Sequence, residues 1–290
     1  VFLILGVLSL AGLHVLGKEI LGQKNWYKFG SFTMQPVEFA KIGTALMLAN
    51  YVSGPDFNLK INKSLLTTLA IVGVPALVVL TIPDVGSLLV FAAFVIALYR
   101  EGLSGWLFIN GFILAAVFLL SIAINPLYIV GAIVFIVAIF IFFNYHKIIW
   151  SFPTILSIIG GVALLAGISF GTPKILEKLP KHQRERIEVL YKGEKAFRDT
   201  SGYNLLYSKT AIGSGGFWGK GYKQGSVTQG KFVPEQETDY IFCTVGEEWG
   251  FLGSTLLVLF YAIYIGRIYY LSEHHKTTFN RVFGYCFASI

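Results

Sequence analysis

Apolar residues along this chain fall in continuous runs, each close to the length of a bilayer-crossing helix. The runs cover about residues 1–16, 36–53, 64–82, 85–99, 105–123, 126–143, 150–170 and 240–266, and another opens at 282. A hydrocarbon layer ~30 Å thick takes roughly 17 to 25 helical residues at ~1.5 Å each. Unbroken Leu, Ile, Val, Ala and Phe predict helices, because a membrane barrel would alternate apolar and polar positions over segments of about ten residues. Most joints are tight: Pro83 and Asp84, Arg100 to Ser104, and Asn125 and Pro126 each separate two runs, which suits antiparallel hairpins. The expected fold is an all-α polytopic membrane protein, a multi-span helical bundle forming one transmembrane domain over 1–290 with one long extracytoplasmic loop. The run at Val1 has no basic region before it and no small-residue cleavage site after it, so it is not a signal peptide. It starts without a flank, and the last residues are apolar, so the chain reads as a fragment lacking both ends.

Composition supports this class. Of 290 residues 55% are hydrophobic and 13% charged, with a mean hydropathy of +0.67, too apolar for an ordinary soluble domain. Cys243 and Cys286 lie in or beside apolar runs without a CxxC or a histidine pair at metal spacing, so neither a disulfide nor a zinc site is indicated.

Charge concentrates in residues 171–238, which hold twelve of the 23 Lys and Arg and seven of the 16 Asp and Glu. A long polar stretch between spans is where function is expected. In the short loops, Lys60, Lys63, Arg100, Lys147, Arg267, Lys276 and Arg281 fall on one side, and Lys18, Lys24 and Lys28 on the other. The positive-inside rule puts the larger set in the cytoplasm and the long loop outside.

Several clusters could carry chemistry. GSGGFWGKGYKQGS (213–226) has six glycines in fourteen residues with Lys220 and Lys223 interleaved. It lacks the Walker pattern, and it is open between a phosphate cradle of converging N–H groups and a turn-rich loop. KHQRERIEVLYKGEK (181–195) carries Arg184 and Arg186, and reads either as an interfacial helix for anionic head groups or as a solvated charged face. Asp239 sits where the loop meets the next span, either as a helix cap or as a catalytic base beside a basic loop. Glu247 and Glu248 lie one to two turns further in, where an isolated charge costs roughly 2.5 to 3.5 kcal/mol, so at least one must face the bundle interior or a polar cleft. In WYKFGSFTMQPVEFAK (26–41), Glu38 and Lys41 can pair at i, i+3, and Trp26 and Tyr27 suit an interfacial aromatic belt. Asp84 after Pro83 reads as an N-cap.

Taken in order, these strings resemble the SEDS family (shape, elongation, division and sporulation). VPEQETDYIFCTVGEEWGF looks like its PExHTDFIF…GEExGF segment, GSGGFWGKG like GSGGxxGKG, MQPVEFAK like QPSEFAK, and IPDVGS like QPDLGT. Thr228 and Gln229, with no KLxYLPEAH string, look like the elongation branch, RodA-type, rather than the division-type paralogue FtsW. The resemblance implies a peptidoglycan glycosyltransferase of the bacterial inner (cytoplasmic) membrane that polymerises lipid II, with a class B penicillin-binding protein as transpeptidase partner and no nucleic acid. It carries the family's essential aspartate onto Asp239, its tryptophan onto Trp26, and the Glu and Lys of its QPxExxK string onto Glu38 and Lys41. Where the family has a histidine before TD, this chain has Glu237. The spans at 105–123 and 126–143 look like an added hairpin.

In such a transfer one carboxylate takes the proton of the acceptor hydroxyl while cationic groups meet the lipid pyrophosphate that leaves. Asp239 is the candidate base. Arg184, Arg186, Lys209 and Lys220 are candidates for the pyrophosphate, and Glu235 for substrate contact. A divalent cation, Mg²⁺ or Mn²⁺, is a candidate cofactor, although no ligand set can be read. The competing class is a transporter, such as a lipid II flippase, which predicts helices broken near mid-membrane.

Overall fold

In the computed structural model the described residues are 1–20, 23–30, 32–82, 84–147, 149–179, 181–200, 202–234 and 236–290. Among these, the side chains of 18–20, 23, 24, 29, 32, 85, 181–183, 186 and 190 are outside the description. Helices dominate, and five of them are long and apolar enough to cross a membrane. The protein is therefore a multi-pass helical membrane protein. It divides into two compact units, residues 1–108 with 260–290, and residues 109–259.

The first unit opens with α1 (Phe2–Leu16), followed by a three-stranded antiparallel sheet in the order β1 (Lys18–Ile20), β2 (Gln23–Phe29), β3 (Phe32–Met34). The sheet was not expected. Its strand-forming residues Trp26, Tyr27 and Phe29 precede Gly30, which turns with φ 63 between β2 and β3. The Tyr27 hydroxyl donates to the Ser9 carbonyl at 2.7 Å and pins the sheet to α1. Burial at this site pushes the Tyr27 phenol above its usual range.

Helix α2 (Pro36–Val52) is the centre of this unit, starting on Pro36 in its first turn and packing against α1, α3 (Asn62–Thr81) and α13 (Thr278–Ser289). Small residues Ala40, Ala45 and Ala49 are fully covered and let the neighbouring backbones come close. The run expected at 85–99 is interrupted at Phe94, giving α4 (Val85–Ala93) and α5 (Val95–Arg100). Asp84 caps α4: its carboxylate accepts from the Ser87 amide at 3.0 Å and hydroxyl at 2.8 Å. It also accepts from Gln35 Nε2 at 3.3 Å, which joins the start of α4 to the start of α2. At α5, Arg100 forks onto Glu273, which also accepts from the Tyr285 hydroxyl at 2.8 Å, and Arg281 forks onto Glu101 at 2.6 and 2.9 Å.

The second unit carries most of α6 (Gly105–Ala123), then α7 (Pro126–Asn144) and α8 (Phe152–Lys178). Most of their large apolar side chains are exposed, as suits a face solvated by lipid. Ser121 on α6 donates to Ser169 on α8 at 3.2 Å in a buried contact. Helix α8 continues past the expected end at 170, because Lys174, Glu177 and Lys178 are good helix formers even though they are polar. The stretch expected as a long loop from 171 is in fact largely helical, with α9 (Lys181–Lys192), a 3₁₀ turn (Glu194–Phe197), α10 (Tyr203–Ser214) and α11 (Ser226–Gln229). Helix α12 (Ile241–Glu273) outlasts its expected end at 266 and is broken at Gly250.

Candidate active site

The second unit's polar site is built on the break in α12. At Gly250, φ is 64 and ψ is −160, outside any helix. A broken helix leaves N–H and C=O groups that must find partners elsewhere. The glycine-rich segment supplies them: the Lys220 and Gly221 amides donate to the carbonyls of Glu247 and Glu248, both at 3.0 Å. In return the amides of Phe251 and Leu252 donate to the carbonyls of Gly216 and Phe217 at 2.9 and 3.1 Å. This approach needs glycine at its tightest points. A Cβ on Gly219 (φ +83) would stand 2.2 Å from the Glu248 carbonyl oxygen, and one on Gly250 would stand 2.3 Å from the Gly219 amide nitrogen. We expect Gly250→Ala to cost at least about 2 kcal/mol through positive φ and overlap together. A midpoint of thermal unfolding equal to that of the parent would show that the break is not required.

Beneath this clamp lies Glu247, with 0% of its side chain exposed. Its Oε1 takes the Lys220 ammonium at 2.7 Å and the Val227 amide at 3.0 Å, and its Oε2 takes the Thr228 amide at 2.8 Å. Ser214 Oγ donates to Oε1 at 3.3 Å, and Lys220 also donates to Ser226 Oγ at 2.9 Å. A buried carboxylate with this many donors is satisfied, and it fixes α11 and the glycine-rich segment to α12. The expectation that one of Glu247 and Glu248 faces inward is met by Glu247; Glu248 is also buried, at 6% exposure.

Asp239 is different in kind. It is exposed, and among the described residues it has no hydrogen-bond or ion-pair partner, so no amide of α12 is capped by it. The segment carrying it is nevertheless anchored on both sides. Val233 before it and Cys243 after it are fully buried with Ala211 in one small core, with Tyr207, Ile212, Val227 and Tyr240 packed around them. A free carboxylate on an anchored segment is the arrangement a general base needs.

The other candidates fall as follows. In the first unit, Trp26 is half-buried on β2, and Lys41, 8% exposed, pairs with Glu38 at 2.8 Å. In the second unit Arg184 pairs with Glu188 at 3.2 Å, and Glu188 also holds Lys192 at 2.9 Å, which lifts the Lys192 ammonium above its usual range. Lys209 pairs with Glu194 at 3.1 Å. The Glu194 carboxyl is held below its usual range first by its own backbone amide and then by Lys209. The side chain of Arg186 and the whole of Glu235 lie outside the described residues. Among the described residues no three His, Cys, Asp or Glu side chains gather into a metal site. Sequence reasoning missed the break itself. Its signal was Gly250 inside an apolar run, where an isolated glycine marks either a packing need or an interruption.

The peptidoglycan glycosyltransferase MrdB of Escherichia coli (strain K12) is 29% identical over 280 residues, covering 96% of this chain and 61% of the relative. The peptidoglycan glycosyltransferase RodA of Treponema pallidum (strain Nichols) is 25% identical over 315 residues, covering 95% of this chain and 68% of the relative. This chain thus spans 61% of the length of MrdB. A chain from a solved peptidoglycan synthase complex matches with a TM-score of 0.61 at 21% identity, covering 99% of this chain and 65% of that one, which shows a shared fold. The family model for FtsW, RodA and SpoVE, described as cell cycle protein, matches residues 1–130 and 111–290, and the two matches overlap within the α6–α7 hairpin. Because the two matches together cover residues 1–290 of this chain, the chain belongs to the FtsW/RodA/SpoVE family, the SEDS family its motifs resemble.

Proposed function

We propose that this chain is the catalytic membrane portion of a RodA-type peptidoglycan glycosyltransferase, which extends glycan strands from lipid II during cell elongation. The observation that carries the reading is the exposed Asp239, without a partner among the described residues, on a segment anchored by Val233 and Cys243. Asp239 takes the proton from the acceptor's 4-hydroxyl. The freed oxygen attacks the anomeric carbon of the donor from the face opposite the leaving pyrophosphate, and the linkage inverts. Glu247 takes no part in proton transfer, since Lys220 and two amides occupy its oxygens. The relatives' names, which describe peptidoglycan glycosyltransferases, support the reaction class.

The broken α12 is the feature that a transporter would show. Here Lys220 closes Glu247, and Glu248 beside it is buried as well, so the preference for glycosyl transfer rests on the exposed Asp239 and on the relatives' names rather than on the break. A divalent cation bound to the substrate's pyrophosphate would add charge neutralisation. The described carboxylates offer it no cluster of three ligands, so no step here depends on it.

We place the chain in the bacterial inner membrane with residues 171–238 outside, alongside a class B penicillin-binding protein. The structural match to a chain of a peptidoglycan synthase complex is consistent with such a partner. The purified intact protein, given labelled lipid II and this partner, is expected to produce a ladder of glycan polymer on a gel. Unconsumed lipid II under conditions where the partner is folded and bound would remove the proposal. In cells, Lys195→Cys should react with an impermeant thiol reagent before permeabilisation, and reaction only afterwards would reverse the topology.

A further inference from the structure

The basic residues expected at the pyrophosphate and described in the second unit are already engaged: Arg184 with Glu188, Lys209 with Glu194, and Lys220 with Glu247. Lys231 is not. Among the described residues its ammonium has no acceptor, and it lines an open recess of about 350 Å³. Among the described residues Val233, Pro234, Gln236, Glu237 and Thr238 also line it, the last of them one residue before Asp239. Gln236 also holds a buried Oε1 without a hydrogen-bond partner among the described residues. A recess of this size with convergent polar groups is suited to a sugar and its attached anion.

The backbone adds an independent observation. Lys231 has φ 52, the left-handed region that a residue with a Cβ seldom occupies. It is held there from both sides. The Lys231 amide donates to the Thr228 carbonyl at 3.1 Å and the Phe232 amide to the Val227 carbonyl at 3.2 Å, while the Phe232 ring stacks on Tyr207. Val227 and Thr228 are themselves fixed by their amides on buried Glu247. A strained conformation over-determined by its surroundings is a mark of a positioned functional side chain.

We propose that Lys231 is the cation that meets the pyrophosphate of the lipid-linked donor in this recess. The proposal rests on the glycosyltransferase reading above. As the acceptor oxygen bonds to the anomeric carbon and its proton passes to Asp239, the bond from that carbon to the pyrophosphate oxygen breaks. The electron pair leaves on the pyrophosphate, and Lys231 offsets the charge that develops there.

Two substitutions separate charge from backbone. Lys231→Asn keeps a residue that tolerates positive φ and removes the charge, whereas Lys231→Arg keeps the charge. The intact protein is placed in phosphatidylcholine nanodiscs and titrated with undecaprenyl pyrophosphate, a readout that needs no turnover. Lys231→Asn should weaken binding about tenfold or more, and Lys231→Arg should stay within about threefold of the parent. Equal binding by the Asn variant, no binding by the parent, or an Arg variant as weak as the Asn variant overturns the proposal. If phosphatidylglycerol in the disc competes with the same dependence on Lys231, the site is for bilayer head groups, which also overturns it. A parent that binds undecaprenyl pyrophosphate through Lys231 yet makes no polymer would instead refute the proposed enzyme and leave this site standing.

Discussion

Asp239→Asn should abolish polymerisation while leaving the midpoint of thermal unfolding where it was. The amide keeps the shape of the carboxylate but cannot accept the acceptor's proton, and loss of a general base removes about 10²- to 10⁴-fold, or roughly 3 to 5 kcal/mol of barrier stabilisation. A capping role makes the opposite forecast, since Asn caps a helix about as well as Asp and the rate would stay unchanged. The geometry already speaks against capping, because among the described residues nothing bonds to the Asp239 carboxylate. The check is the lipid II gel assay with the same partner, run beside a melting curve of the same sample. Polymerisation at nearly the parental rate would take Asp239 out of the mechanism and move the search to Glu235 and Glu237.

The largest stability effect is expected from Glu247→Ala. It leaves the Lys220 ammonium and the Val227 and Thr228 amides without their acceptor in a place from which water is largely excluded. Breaking one side of a buried ion pair costs about 3 to 5 kcal/mol, most of it from the partner left uncompensated. At about 2 to 4 °C per kcal/mol, the melting midpoint should fall by roughly 10 °C. Adding Lys220→Met should restore part of the loss, because the stranded charge is then gone; Lys220 is 28% exposed, so restoration is partial. An unchanged midpoint for Glu247→Ala would mean that the clamp on α12 holds without its buried charge.

What could be read from the residues alone follows the range of the forces involved. The spans were legible because burial in lipid demands a continuous apolar run, and Asp84 because a cap is settled within three residues. The ends of α8 and α12 were not, since helix formers such as Lys174 and Glu177 carry a helix beyond its apolar part. The sheet at Lys18–Met34 had a local signal in Trp26, Tyr27 and Phe29 before Gly30, but strands that short compete weakly with a membrane pattern. At the site, Asp239 stood out through its motif, whereas the pairing of Lys220 with Glu247 joins residues 27 apart and exists only once the chain has folded. The same holds for Lys231, whose interest comes from its backbone angle and from the recess beside it.

The exchange of hydrogen bonds between 216–221 and 247–252 makes the intervening segment a loop tied at its base. Closing such a loop costs entropy that rises only with the logarithm of its length, about 0.6 kcal/mol for each doubling. Closure entropy alone would therefore let residues be added to or lost from this stretch cheaply; what limits such changes is the set of further ties at Val227, Thr228 and Val233. Exposed side chains on the rim around Asp239 can change without disturbing the ties that hold the segment.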